Sequence, residues 1–196
     1  CPSLLDWTVS WSEGIDVSGE VYEYDETTPV TTGTVRIALN GVLQATTGSI
    51  SGGTWTIPNV NAFPDDILTV WIDGTATSSR AVAVTKYDGT NDVTGMILYE
   101  RHLTLGSDED PTITNNDLSQ YDYSVSSNNA DLLHDVSVGN DLTVCVTGTG
   151  CYDGVLYVQS GTTYQPDSGD SGNVLTHDMR INGTVVADGN TFYVSG

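Results

Sequence analysis

Thr34-Val35-Arg36-Ile37-Ala38-Leu39-Asn40-Gly41-Val42-Leu43-Gln44-Ala45-Thr46 decides the fold class. Two runs rich in β-branched and apolar residues flank Asn40-Gly41. That dipeptide suits a type I′ hairpin turn, where both central residues need positive φ. β-Branched side chains also pack well on a pleated surface. The same grammar recurs on either side. Upstream, residues 17–24 read as a strand, followed by a polar loop at 25–32 that contains Pro29. Downstream, Ser51-Gly52-Gly53 turns the chain into Thr54-Trp55-Thr56-Ile57, which Pro58 ends. Residues 67–72 close on Asp73-Gly74, residues 81–87 close on Asp88-Gly89, and residues 93–99 end the series. Short strands broken by turns about every ten residues predict an antiparallel β-sandwich over residues 15–100.

Four segments of this series carry a family resemblance. They are Val17-Ser18-Gly19-Glu20-Val21-Tyr22, Asn40-Gly41, Gly53-Thr54-Trp55-Thr56-Ile57-Pro58-Asn59-Val60 and Leu68-Thr69-Val70. Together they resemble the carboxypeptidase-regulatory-like, transthyretin-related sandwich module of bacterial or archaeal surface proteins. The resemblance covers about residues 15–100. It implies an immunoglobulin- or transthyretin-like fold and a role as a surface, adhesive or spacer module.

Residues 101–196 have another texture. The triplets Leu142-Thr143-Val144, Leu156-Tyr157-Val158, Met179-Arg180-Ile181 and Phe192-Tyr193-Val194 recur, and Ser160-Gly161, Asn182-Gly183 and Ser195-Gly196 follow three of them. A repeat of this kind fits a second β-domain, either a sandwich or a short β-solenoid. Its phrases also resemble repeats of very large predicted surface proteins. No stretch reads as a convincing helix, so the whole chain is expected to be all-β.

Ahead of the sandwich, Leu5, Trp7, Val9 and Trp11 alternate with polar residues, the pattern of a strand with one apolar face. Residues 1–14 are therefore either strand A of the chain's own sandwich or an arm that adds a strand to a neighbouring subunit. Nine residues span about 30 Å, enough to cross a small sandwich. The expected organisation is thus residues 1–14 as strand or donor arm, 15–100 as sandwich, and 101–196 as a second β-rich domain.

Composition narrows the function. With 26 Asp+Glu against 5 Lys+Arg, the 196-residue chain carries a formal charge of −21, which repels phosphate backbones and argues against nucleic acid as a partner. Apolar runs are too short to span a bilayer as helices. Cys145 and Cys151 flank a Gly-rich turn and predict a disulfide, hence an oxidising compartment, with Cys1 left over.

The candidate sites are few. Gly169-Asp170-Ser171-Gly172 matches the nucleophile segment of chymotrypsin-like proteases, but none of His102, His134 and His177 stands in the matching context for a general base. His134-Asp135 and His177-Asp178 lack the further ligands that a metal-dependent hydrolase needs. Asp108, Asp110, Asn115 and Asp117, with Asp122 nearby, supply the oxygen ligands that calcium takes. Lys86, the one lysine, shares parity with Val82 and Val84 and so points inward with them. No catalytic constellation emerges. The expectation is a non-enzymatic structural subunit of an extracellular filament or surface layer, a homopolymer built by β-strand association. An adhesin or carbohydrate-binding module, with Trp and Tyr stacking on sugars, is the alternative.

Overall fold

A computed structural model describes residues 14–74, 79–120, 131–144, 153–167 and 172–196. The described chain is all-β apart from one short helix. No helix among the described residues is long and apolar enough to cross a membrane.

The first seven strands are β1 (Ile15–Tyr22), β2 (Thr32–Leu39), β3 (Val42–Ser51), β4 (Thr54–Val60), β5 (Ile67–Ile72), β6 (Val82–Lys86) and β7 (Val93–Tyr99). The Asn40-Gly41 turn forms as expected. Both residues have positive φ, +48° and +76°, and Leu39 faces Val42 across the hairpin. The strands line up as β6-β5-β2-β3-β4-β1-β7 within a larger curled sheet. All of these pairs are antiparallel except β1–β7, which runs parallel. Gly19 makes that parallel contact feasible, because a Cβ there would run into the Met96 carbonyl on β7. The inner face encloses a first core of residues such as Val17, Ile37, Trp55, Ile57, Val70 and Met96.

The second half is a solenoid. Its first coil holds β8 (His102–Leu105), β9 (Thr112–Ile113) and β11 (Leu142–Val144). Its second holds β12 (Val155–Val158), β13 (Thr163–Tyr164) and β14 (Val174–Thr176). Its third holds β15 (Asp178–Ile181), β16 (Thr184–Val185) and β17 (Phe192–Val194). Each strand pairs in parallel with its counterpart in the next coil, so three sheets form three faces. Between β9 and β11 the chain makes an excursion that carries α1 (Asn115–Leu118) and β10 (His134–Val136), and β10 pairs antiparallel with β11. Of the two architectures expected for residues 101–196, parallel stacking corresponds to the solenoid.

The two halves share a wall. β6 pairs in parallel with β8, so one ten-stranded sheet, β15-β12-β8-β6-β5-β2-β3-β4-β1-β7, runs through residue 100 without a break. All six residues of β5 are buried. Leu68, Val70 and Ile72 face the first core, whereas Ile67 and Trp71 belong to a second core inside the solenoid. In the neighbouring strand, Ala83 faces the first core and Val82 and Val84 the second. A strand buried on both faces reads as a near-continuous apolar run instead of an alternation, and Ile67-Leu68-Thr69-Val70-Trp71-Ile72 is such a run, interrupted only by the buried Thr69.

Candidate functional site: the open end of the solenoid

Inside the solenoid, side chains stack in rows from coil to coil. One row is Leu103, Leu156 and Met179, and the next is Leu105, Val158 and Ile181. A second face contributes Ile113, Tyr164 and Val185. The third contributes the pairs Leu142–Val174 and Val174–Phe192, with Val194 above Thr176. The first two members of each row are buried. The third coil is different, because nothing among the described residues stacks on it. Ile181 is 49% exposed and Val194 50%. Met179, Val185 and Phe192 are only partly buried against the core.

Among the described residues, no strand pairs with the outer edge of this coil. Asp178 and Asn182 donate their amides to the carbonyls of Gly154 and Val158, at 3.3 and 2.9 Å. In a parallel ladder alternate residues turn to opposite sides. The main-chain groups of Met179 and Ile181 therefore face away from β12, and the Met179 amide donates to Asp178 Oδ1 at 2.8 Å. On the second face, the Thr184 and Val186 amides donate to Thr162 and Tyr164, which turns Val185 outward along the axis. On the third, Ser195 donates to Thr176, which does the same for Phe192 and Val194. Among the described residues, three strand edges without a partner strand thus surround five apolar side chains at one end. At the other end β8 is covered by β6 and β11 by β10.

A second cluster braces the solenoid to the first half. The rings of Tyr22 and Tyr99 lie 5.6 Å apart, as do those of Tyr99 and Tyr157. Burial, with Tyr157 and Glu26 nearby, lifts the Tyr99 phenol to about 12. The Glu26 carboxylate meets His102 Nε2 at 3.2 Å and also pairs with Arg180 of β15. Burial pushes the His102 imidazole below its ordinary range, while Glu26 pulls it the other way. Beside this cluster runs a groove of about 520 Å³ lined by residues that include Ser18, Glu20, Thr54, Thr56, Ile97 and Gln159.

The candidate calcium ligands go to separate partners. Asp108 accepts from the Thr94 amide at 2.7 Å and from Thr94 Oγ1 at 2.5 Å, which ties its loop to β7. Asp110 is exposed, at φ +47°. Asn115 is buried, where it accepts from the Tyr164 hydroxyl and donates to the Asn140 carbonyl, both at 2.6 Å. Asp117 closes a capping box with Thr114 and pairs with Lys86 Nζ at 3.1 Å. The inward parity read for Lys86 thus carries its ammonium to the helix of the excursion. Among the described residues, no three His, Cys, Asp or Glu side chains gather into a group that could hold a metal ion.

The histidines also scatter. His134 is buried, and burial drives its pKa down to about 4. Leu5, Trp7, Val9, Trp11, Cys1, Asp122, Cys145, Cys151 and most of the Gly169–Gly172 string lie outside the described residues. Sequence reasoning missed the open end itself. The available signal was that the last triplets, Met179-Arg180-Ile181 and Phe192-Tyr193-Val194, stay apolar at both flanks. No family model matches the chain, and neither a curated protein nor a solved structure matches it.

Proposed function

We propose that the protein is a structural subunit of an extracellular filament or surface layer and works by association of β-strand edges between copies of itself. One observation carries this reading: among the described residues, three strand edges around exposed Ile181 and Val194 at one end of the solenoid have no partner strand. Solenoids normally close such an end with a coil of polar outer face, and proteins shield free edges because they template pairing with another chain. An apolar, unshielded end suits a surface meant to be covered. Analytical ultracentrifugation and negative-stain microscopy of the purified chain test the reading. Defined oligomers or filaments are expected. A monomer throughout the micromolar to millimolar range would overturn it.

The Tyr22–Tyr99–Tyr157 cluster beside this groove favours a second reading, a carbohydrate-binding module. Affinity electrophoresis in polysaccharide gels tests it. Retardation that is lost on Tyr22→Ala supports it, and unretarded migration in every gel counts against it.

A further inference from the structure

We infer that the groove on the outer face of β4, β1 and β7 binds a neutral linear glycan, with the tyrosine cluster at one end and Glu20 as the acceptor that fixes the sugar hydroxyls. This rests on the carbohydrate reading above and names its site and its ligand class. Strand alternation builds the surface. Val17, Val21, Trp55 and Met96 turn into the first core, so their strand neighbours turn outward. The register sets those neighbours in rows across the sheet: Thr56 with Ser18, then Thr54 with Glu20 and Ile97, then Tyr22 with Tyr99. Gln159 closes the β7 side. It follows β12 in the second coil, and its Nε2 donates to the Gly95 carbonyl at 2.7 Å. The result is the open groove of about 520 Å³ that ends at the tyrosines.

A pyranose ring carries hydroxyls around its rim and C–H groups on its faces, and the groove meets both. Ile97 and the threonine methyls offer apolar contact, while Glu20, Ser18 and the threonine hydroxyls offer hydrogen bonds. Glu20 accepts from the Tyr22 hydroxyl at 2.8 Å, which orients the ring at the end of the row and leaves the carboxylate further acceptor capacity for sugar hydroxyls. Ser18 and Tyr22 stand four positions apart on β1, about 13 Å at about 3.3 Å per residue. That row is longer than one pyranose ring, so a chain of sugars fills what a monosaccharide leaves empty. Charge selects the class. Of the lining residues Glu20 alone is ionisable, and it is acidic in a chain of charge −21. Arg36, Lys86 and Arg180 pair with Asp73, Asp117 and Glu26. A uronate or sulfated glycan would meet a like charge in the groove, and a neutral one does not.

Affinity electrophoresis of the full chain tests this in gels that hold hydroxyethyl cellulose, galactomannan, dextran or polygalacturonate. The parent chain should be retarded by at least one of the neutral polymers and not by polygalacturonate. Glu20→Ala should raise the apparent Kd about tenfold, the worth of one charge-assisted hydrogen bond. Glu20→Gln keeps an acceptor without the charge and should stay within about threefold of the parent. Thr56→Arg fills the groove from an exposed position and should raise the Kd by about tenfold or more. Each variant changes a solvent-facing side chain, and a urea unfolding midpoint at the parent's value confirms that it folds.

Unretarded migration in every gel defeats both this inference and the carbohydrate reading. Retardation that is lost on Tyr22→Ala but indifferent to Glu20→Ala and Thr56→Arg leaves that reading on the tyrosines alone and overturns the groove. Stronger retardation by polygalacturonate than by the neutral polymers, or a loss on Glu20→Gln as large as on Glu20→Ala, keeps the reading and overturns the neutral class. Oligomers that fall apart on Thr56→Arg in sedimentation equilibrium give the groove to a second copy and overturn the inference as well.

Discussion

Acid should weaken this protein through His134, and the size of the effect follows from its burial. The side chain lies buried on β10, and its pKa falls to about 4 from an ordinary 6.5. Burial favours the neutral ring, although a hydrogen bond to the Leu118 main chain and the Asp135 charge oppose it in part. The unfolded chain therefore takes up a proton near pH 6.5, where the folded chain does not. The contribution to stability is complete above that pH. It is lost progressively as pH falls and levels off below about pH 4. A shift from 6.5 to about 4 corresponds to about 3 kcal/mol in total. His134→Leu removes the titration while leaving other charges in place. Urea unfolding of parent and variant, followed by Trp fluorescence at matched pH from about 4 to 8, isolates the term. Glu109, which burial lifts to about 7, acts with the opposite sign between pH 4.5 and 7, but it is present in both proteins and cancels. The stability gap between them should shift by about 3 kcal/mol in favour of the variant as pH falls. A gap constant within about 0.5 kcal/mol across that range would refute the reasoning.

Trp71→Ala should destabilise the chain by about 3–5 kcal/mol, because Trp71 is fully buried in the shared wall. Its denaturation should remain a single transition, since β5 serves both cores; two resolved transitions would show that the wall does not couple them. Lys86→Met strips Asp117 of its counter-ion and should cost about 1–3 kcal/mol, most of it regained by adding Asp117→Asn. A thiol titration on denatured, unreduced protein should find one free thiol, from Cys1, with three free thiols removing the expected Cys145–Cys151 bond.

The first half was legible because its signals are local. Asn40-Gly41 and Ser51-Gly52-Gly53 fix two hairpins through positive φ, and the structure carries both as read. The parallel β1–β7 pair was not legible. It joins strands far apart in sequence, and its only trace is Gly19, where the Met96 carbonyl leaves no room for a Cβ. In the second half the apolar triplets were visible, but a triplet shows which side chains share a face and not what the strand pairs with. Parallel coils and a meander of hairpins both satisfy that alternation. The excursion between β9 and β11, with its helix and capping box, also hid the coil length, because the first coil is much longer than the third. The oxygen-rich segment misled in another way. Its carboxylates and amides suit a cation by composition, yet Thr94, Thr114, Lys86 and Tyr164 take up most of them.

The contrast between the second and third coils bears on how the molecule works. Where the second coil turns Leu156, Val158, Tyr164, Val174 and Thr176 inward, the third turns Met179, Ile181, Val185, Phe192 and Val194. The one polar inward side chain, Thr176, is met by Val194, and no polar residue replaces any other member of the row. Thr176 itself is buried and bonded to the carbonyls of Gly154 and Asp178, at 2.9 and 2.8 Å, so the second coil can hold a hydroxyl only because the coil edge gives it partners. A coil facing water has no such constraint and gains from polar side chains at each inward position, which would hydrate freely and discourage pairing. The third coil has none. Its inward positions are as apolar as those of a coil with neighbours on both sides, and its outward ones carry Asp178 and Arg180 in alternation. That combination is the composition of an interior layer with a charged rim.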